Sequence, residues 1–169
     1  MAKPRPVAGV RPHKRVRPNA RRILAVRIDE VWAYGDDVRD PGRVTELHDM
    51  RIAFKRLRYL LEIFDVAFAA DLEPFIDEVK DLQDVLGDVH DCDVQVPLLE
   101  EHLAMLEVHG GVTDAGGGGD ERPGIRTLIA RRRAQREQTY AAFLTEWDRL
   151  QREGFRGRLE AALGIAPGA

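Results

Sequence analysis

Between His48 and Glu62 the chain reads His48-Asp49-Met50-Arg51-Ile52-Ala53-Phe54-Lys55-Arg56-Leu57-Arg58-Tyr59-Leu60-Leu61-Glu62. At about 100° per residue of a helix, His48, Arg51, Lys55, Arg58, Tyr59 and Glu62 fall within roughly one third of the circumference. That arc borders an apolar one made by Leu47, Met50, Phe54, Leu57, Leu61 and Phe64. Side chains at such a border lie along a neighbouring helix instead of pointing straight into water. Cations held so close repel one another, a cost a fold accepts most readily when an anion normally lies among them. The plainer reading is a solvated basic face whose arginine stems cover the edge of the core. Arg56 points off the shared arc.

Two other segments weigh on that choice. Downstream, Lys80, Gln83, Gly87, His90 and Asp91 share one helical face, and Gly87 leaves room for another backbone or a ligand. Lys80 is the one base among twelve acids between Asp71 and Glu107, so it either faces a ligand or pairs with Asp77 or Asp84. Near the C-terminal end, Ile125, Leu128, Ile129, Tyr140, Phe143, Trp147 and Leu150 set an inward stripe. Arg132 and Arg136 fall on that stripe, with Arg126 and Arg133 flanking it. Arginines that face inward need an anion partner, either an acid such as Glu62 or Asp91 or an external phosphate. Arg21 lines up with Leu24, Ile28 and Val31 and is expected to join the same interior.

The elements that must position these groups are all helical. Residues 1–19 hold Pro4, Pro6, Pro12 and Pro18 among bases and read as a flexible basic arm. Asn19 is the expected N-cap of a first helix over about 20–35. A second helix is expected over about 43–69, after the Asp40-Pro41-Gly42 turn, and a third over about 71–106, kinked or interrupted at Gly87 and Pro97. A Gly-rich flexible loop spans 109–124, with none of the Gly-Lys-Ser/Thr ending of a phosphate-binding P-loop. A last helix follows from about 124 to 150, reaching as far as Leu163, with 164–169 as a tail. No segment alternates with period two for long. The expected fold is all-α, a four-helix-bundle-like module with long antiparallel helices over residues 20–163.

Composition narrows the function classes. The net charge of −3 argues against a general nucleic-acid binder, but the charge is distributed in single-sign blocks. Nine Lys or Arg and no acid lie between Met1 and Ile28, and six Arg and no acid between Arg122 and Arg136. No apolar run approaches the roughly 18 residues of a membrane helix. The basic N-terminus lacks the apolar core of a secretory signal, so a soluble cytoplasmic protein is expected. Cys92 stands alone, which excludes an intramolecular disulfide and a Cys-rich zinc site. No cofactor is expected.

The segment Glu46–Glu62 resembles the signature helix of the CHAD family, the conserved histidine α-helical domain. Lys80-Asp81-Leu82-Gln83-Asp84-Val85-Leu86-Gly87-Asp88-Val89-His90-Asp91-Cys92-Asp93-Val94 is similar to that family's second motif, in the family's order and at a compatible spacing. The resemblance spans roughly residues 18 to 150. It implies a helical fold whose basic groove binds inorganic polyphosphate without catalysis. By motif match it places phosphate contacts on His48, Arg51, Lys55, Arg58 and Lys80, with Arg56 and Tyr59 also matching. Family members usually hold two helical repeats related by a pseudo-two-fold axis, whereas this chain has one copy of each motif. It is thus a single-bundle member, or two chains form a homodimer that rebuilds the pair. His90 stands where an Arg often occurs in one repeat.

Three rival readings remain. His48 with His90-Asp91, completed by Asp93, Asp114 or Asp148, loosely imitates the metal pattern of HD-type phosphohydrolases. The neighbouring Arg51, Lys55 and Lys80 oppose a cation there. The basic arm and Arg132-Arg133 favour a nucleic-acid binder, while the acidic third helix and few exposed aromatics oppose it. A purely structural module that recruits a partner is the third.

Overall fold

The structure is a computed structural model, and it describes residues 3–109 and 120–166. It is built from α1 (Val16–Trp32), α2 (Val44–Phe64), α3 (Glu73–His109), α4 (Arg122–Arg152) and α5 (Phe155–Leu163). Short 3-10 turns at Asp37–Arg39 and Asp65–Ala67 join the first three helices. No strand occurs among the described residues, so the all-α expectation holds, with five helices where four were expected. No helix among them is long and apolar enough to cross a membrane.

α1 opens at Val16, ahead of the expected start. Pro18 lies in its first turn, where its missing N–H has no intrahelical acceptor in any case. Asn19 therefore caps nothing. Its side chain accepts from the Arg11 amide at 3.0 Å and donates back to the Arg11 carbonyl at 2.8 Å. The basic segment 3–15 holds only turns and bends. It is fastened again where the Arg5 amide donates to Glu30 and Arg27 donates to the Arg5 carbonyl. Arg27 and Glu30, both buried, pair directly.

α3 is one continuous 37-residue helix, not the kinked or interrupted one expected at Gly87 and Pro97. Proline removes one backbone donor. Here α3 packs along α4 on both sides of Pro97, through Arg136–Asp93 before it and Arg133–Glu100 and Arg126–Glu107 after it. These pairs also fix α3 and α4 as antiparallel. The last helical stretch is divided: Gly154 takes φ 63°, which stops α4 and lets α5 fold back. The Gly-rich residues 110–119 lie outside the described residues.

The core sits where all five helices meet, α3 included. Trp147 packs edge-on to Phe54 with centroids 6.2 Å apart and lies 5.5 Å from Trp32. Trp32 in turn stacks on Phe155 at 6.0 Å. Leu24, Ile28, Leu57, Leu61, Leu82 and Leu86 fill the rest. α2, at 21 residues, is much shorter than α3. Beyond the start of α2, α3 runs on beside α4 and leaves Val94, Leu98, Met105 and Val108 exposed along one stripe.

Phe54→Ala should lower stability by about 3–5 kcal/mol, because it removes a fully buried ring and leaves a cavity against Trp147. Met105→Ser, on the exposed stripe, should change it by less than about 0.5 kcal/mol. Guanidinium denaturation of both variants measures the difference.

Candidate functional site

α2 and α3 run antiparallel, with His48 against His90 and Arg51 against Gly87. That register sets Lys55 beside Gln83 and Arg58 beside Lys80. The buried stripes Leu47, Met50, Phe54, Leu57 on α2 and Val79, Leu82, Leu86, Val89 on α3 close the seam beneath them. The polar border residues are thereby held side by side along the α2–α3 seam, the candidate groove. The structure brings His48, Arg51, Lys55, Arg58, Tyr59, Lys80 and His90 together there, as the helical spacing predicts.

The polar atoms in this groove are poorly matched to one another. Arg51 Nε is buried and makes no hydrogen bond, and the same is true of Arg58 Nε and of Gln83 Oε1. Arg58 Nε lies 3.5 Å from the exposed Glu62 carboxylate, without hydrogen-bond geometry. Arg51 lies across Gly87, where an added Cβ would sit 3.6 Å from Nε. Lys80 is exposed and has no ion pair among the described residues, so neither Asp77 nor Asp84 takes it. The exposed Tyr59 ring carries Arg58 Cζ at 4.8 Å and Lys55 Nζ at 5.9 Å. A buried donor without an acceptor costs free energy of order 1–3 kcal/mol, more when charged. An anion laid along the seam would accept from Arg51, Arg58 and Lys80, though not from Gln83 Oε1.

His48 and His90 meet at one end of this row of polar groups. Their Nδ1 atoms are 3.2 Å apart and their rings 4.5 Å apart. One nitrogen must then donate and the other accept, so the contact opposes double protonation. Burial lowers the His48 pKa below the ordinary imidazole value, and His90 and Arg51 push the same way against Asp49.

The remaining predicted residues are engaged elsewhere. Arg56 faces α1, with Nη1 3.9 Å from Glu30. Arg21 donates from Nε to the Leu163 carbonyl at 2.8 Å and holds the end of α5. Arg136 donates to Asp93 at 2.5 Å and to the Pro41 carbonyl at 2.7 Å. Arg126 pairs with Glu107 at 2.7 Å, and Arg133 pairs with Glu100. Arg132 donates to Gln135 at 2.6 Å. The acids that receive the α4 arginines are thus those of α3, not Glu62 or Asp91. Arg17 and Arg22, which the spacing argument did not single out, lack a carboxylate partner on α1. The acid-free N-terminal run was their only signal.

The metal pattern fares differently. Among the described residues no group of three His, Cys, Asp or Glu side chains is placed to hold a metal ion. Asp93 is held by Arg136 and Asp148 by Arg39, while Asp114 lies outside the described residues.

The family model described as the CHAD domain matches residues 2–100, which include α1, α2 and the part of α3 that lines the groove. No curated protein and no solved structure gives a match.

Because His48 gains a proton less readily in the folded chain than unfolded, its contribution to stability is intact above the ordinary imidazole pKa of roughly 6.5 and declines as pH falls below it. NMR titration should find His48 below the ordinary value. Addition of a polyanion should move it up. A free His48 that titrates at or above the ordinary value would contradict the paired geometry.

Proposed function

The chain belongs to the CHAD domain family, and on that premise we propose that it binds inorganic polyphosphate, or a similar phosphate-rich polyanion, without catalysing a reaction. The observation that carries this reading is the pair of buried, acceptor-less guanidinium nitrogens of Arg51 and Arg58. Beside them Lys80 has no ion pair among the described residues. Guanidinium forks take two phosphate oxygens each, while Lys55 and Lys80 act as point charges. His48, held below the ordinary imidazole pKa in the free chain, donates once an anion favours its charged form. A flexible chain of phosphates gains avidity from many such contacts made in sequence.

The shape of the field favours a thin polyanion over a broad one. Asp81, Asp84, Asp88 and Asp91 are exposed on α3 near the groove. A nucleic-acid duplex laid across α2 and α3 would meet that acidic row, whereas a single chain of phosphates would run between it and α2. Tyr59 is the one exposed aromatic ring in the groove, which gives little platform for stacking bases. The reading also includes self-association. A second copy related by a two-fold axis would restore the paired repeats that the family resemblance implies. Sedimentation with and without polyphosphate measures that directly.

Arg51→Ala/Lys55→Ala/Arg58→Ala should weaken binding of long-chain polyphosphate by about a hundredfold or more, at roughly 1.5–3 kcal/mol per charged contact. Wild-type binding should also weaken steeply with salt. Arg56→Ala, on the Glu30 side of α2, should cost far less affinity. Calorimetric titration at two salt concentrations reads all three. A folded triple variant with wild-type affinity would refute the groove. RNA displacing polyphosphate at matched salt would turn the reading toward nucleic acid.

A further inference from the structure

α1 carries a second set of cations that have no carboxylate partner among the described residues. Arg17 and Arg21 share one helical face at i and i+4, and Arg22 follows Arg21 on the adjoining face, against Gly9. Their recorded contacts are the Phe68 ring for Arg17, 5.7 Å away, the Leu163 carbonyl for Arg21 and the Pro18 carbonyl for Arg22. None of these neutralises a charge. The α4 arginines show the contrast, since Arg126, Arg133 and Arg136 each have an α3 acid. A cavity of about 320 Å³ opens beside Arg21 and Arg22, lined also by Pro18, Ala25, Ile165 and Ala166. Apolar walls of low polarisability strengthen the field of the two guanidinium groups inside it. Arg21 is braced there by its bond to Leu163 and by Gly164, where any Cβ would fall 2.5 Å from Nη2.

The position of this patch relative to the groove follows from the helix register. α1 and α2 are antiparallel, since Glu30 lies by Arg56 and Arg17 lies over Phe68. The N-terminal end of α1 therefore meets the C-terminal end of α2. That is the end at which Arg58 and Lys80 close the row of groove cations. From Arg58 to Phe64 the helix rises about 9 Å, after which the Asp65–Ala67 turn leads to Phe68 and Arg17. On that turn Val66 is almost fully exposed and Asp65 is exposed beside it. The groove itself, from His48 to Arg58, is about 15 Å long.

We propose that Arg17, Arg21 and Arg22 form a second anion subsite, which takes the far end of a phosphate chain that leaves the α2–α3 groove at Arg58. The inference rests on the groove being the primary site, and it assigns the chain-length preference: short oligophosphates fill the groove alone, and long chains bridge both.

The test compares tripolyphosphate with long-chain polyphosphate on the full chain, using Arg17→Ala/Arg22→Ala and leaving Arg21 to hold α5. A thermal melt confirms that the variant is folded. Long-chain affinity should fall about five- to tenfold. The slope of log affinity against log salt should flatten by roughly 0.7–0.9 per lost contact. Tripolyphosphate affinity should stay as in the wild type. Unchanged long-chain affinity and slope, or an equal loss for both ligands, would overturn the subsite. The Arg51→Ala/Lys55→Ala/Arg58→Ala variant separates the two readings. If it loses both ligands while the α1 variant keeps full long-chain affinity, the subsite alone fails. If the wild type binds neither ligand, groove and subsite fall together.

Discussion

The antiparallel pairing of α2 with α3 is the constraint from which the rest of the site follows. It buries Leu57, Met50, Leu82 and Leu86 beneath the seam and so fixes the rotation of both helices. With that rotation set, Arg51 and Arg58 cannot swing into bulk water without uncovering the core edge that their stems protect. Gly87 permits the close approach: any branched side chain there would occupy the space through which Arg51 reaches across α3. The free energy of apolar packing thus holds the Nε atoms of Arg51 and Arg58 in a place where neither finds a hydrogen-bond acceptor. Such a position disfavours the empty groove and favours any occupant that accepts hydrogen bonds.

Charge pairing divides the arginines into two populations, and the division matters more than the net charge of −3. On α4 they serve the fold. Arg136, Arg133 and Arg126 meet Asp93, Glu100 and Glu107 in order, and the exposed members of that ladder contribute little stability each. Their effect is on register, since any slip of α4 along α3 would bring arginines opposite the wrong residues. On α1 and α2 the pairing is uneven: Arg27 and Arg56 meet Glu30 and Arg58 lies near Glu62, whereas the buried Arg51 Nε makes no hydrogen bond. The acids that might have neutralised the groove are either spent on α4 or turned outward on α3, as with Asp84 and Asp88.

Much of this was readable from residue order. The α2 arc and the α3 face were both defined by helical spacing, and the groove is their meeting. Periodicity works there because both helices have one dry side and one wet side. It failed where a local rule competed with packing. Asn19 has the chemistry of a cap, yet the helix starts at Val16 because Pro18 tolerates a first turn and Asn19 finds the Arg11 backbone instead. Pro97 reads as a break, yet contacts with α4 on both sides carry the helix through it. Arg132 and Arg136 were placed on the inward stripe by spacing alone. Spacing within one helix says nothing about which acids the neighbouring helix offers, so their partners were beyond it. Arg21 was misdirected for the same reason, since its acceptor is a backbone carbonyl 142 residues away.

The histidine pair shows how the same seam can sense its occupant. With Nδ1 atoms at 3.2 Å, one ring donates to the other, and a proton added to the accepting nitrogen would set two N–H groups against each other and a positive ring beside Arg51. On the proposed reading, an anion along the seam would reverse that balance, because a proton added at His48 would gain an attractive partner. Protonation of His48 and anion binding would then be coupled through one contact, and by linkage each would strengthen the other. The coupling needs no conformational change larger than a turn of two imidazoles. It arises only because α2 and α3 present their histidines at the same level, a consequence of the register that also sets Arg51 against Gly87. One packing decision thus supplies the unmatched donors, the space to reach them and the pH dependence of their use.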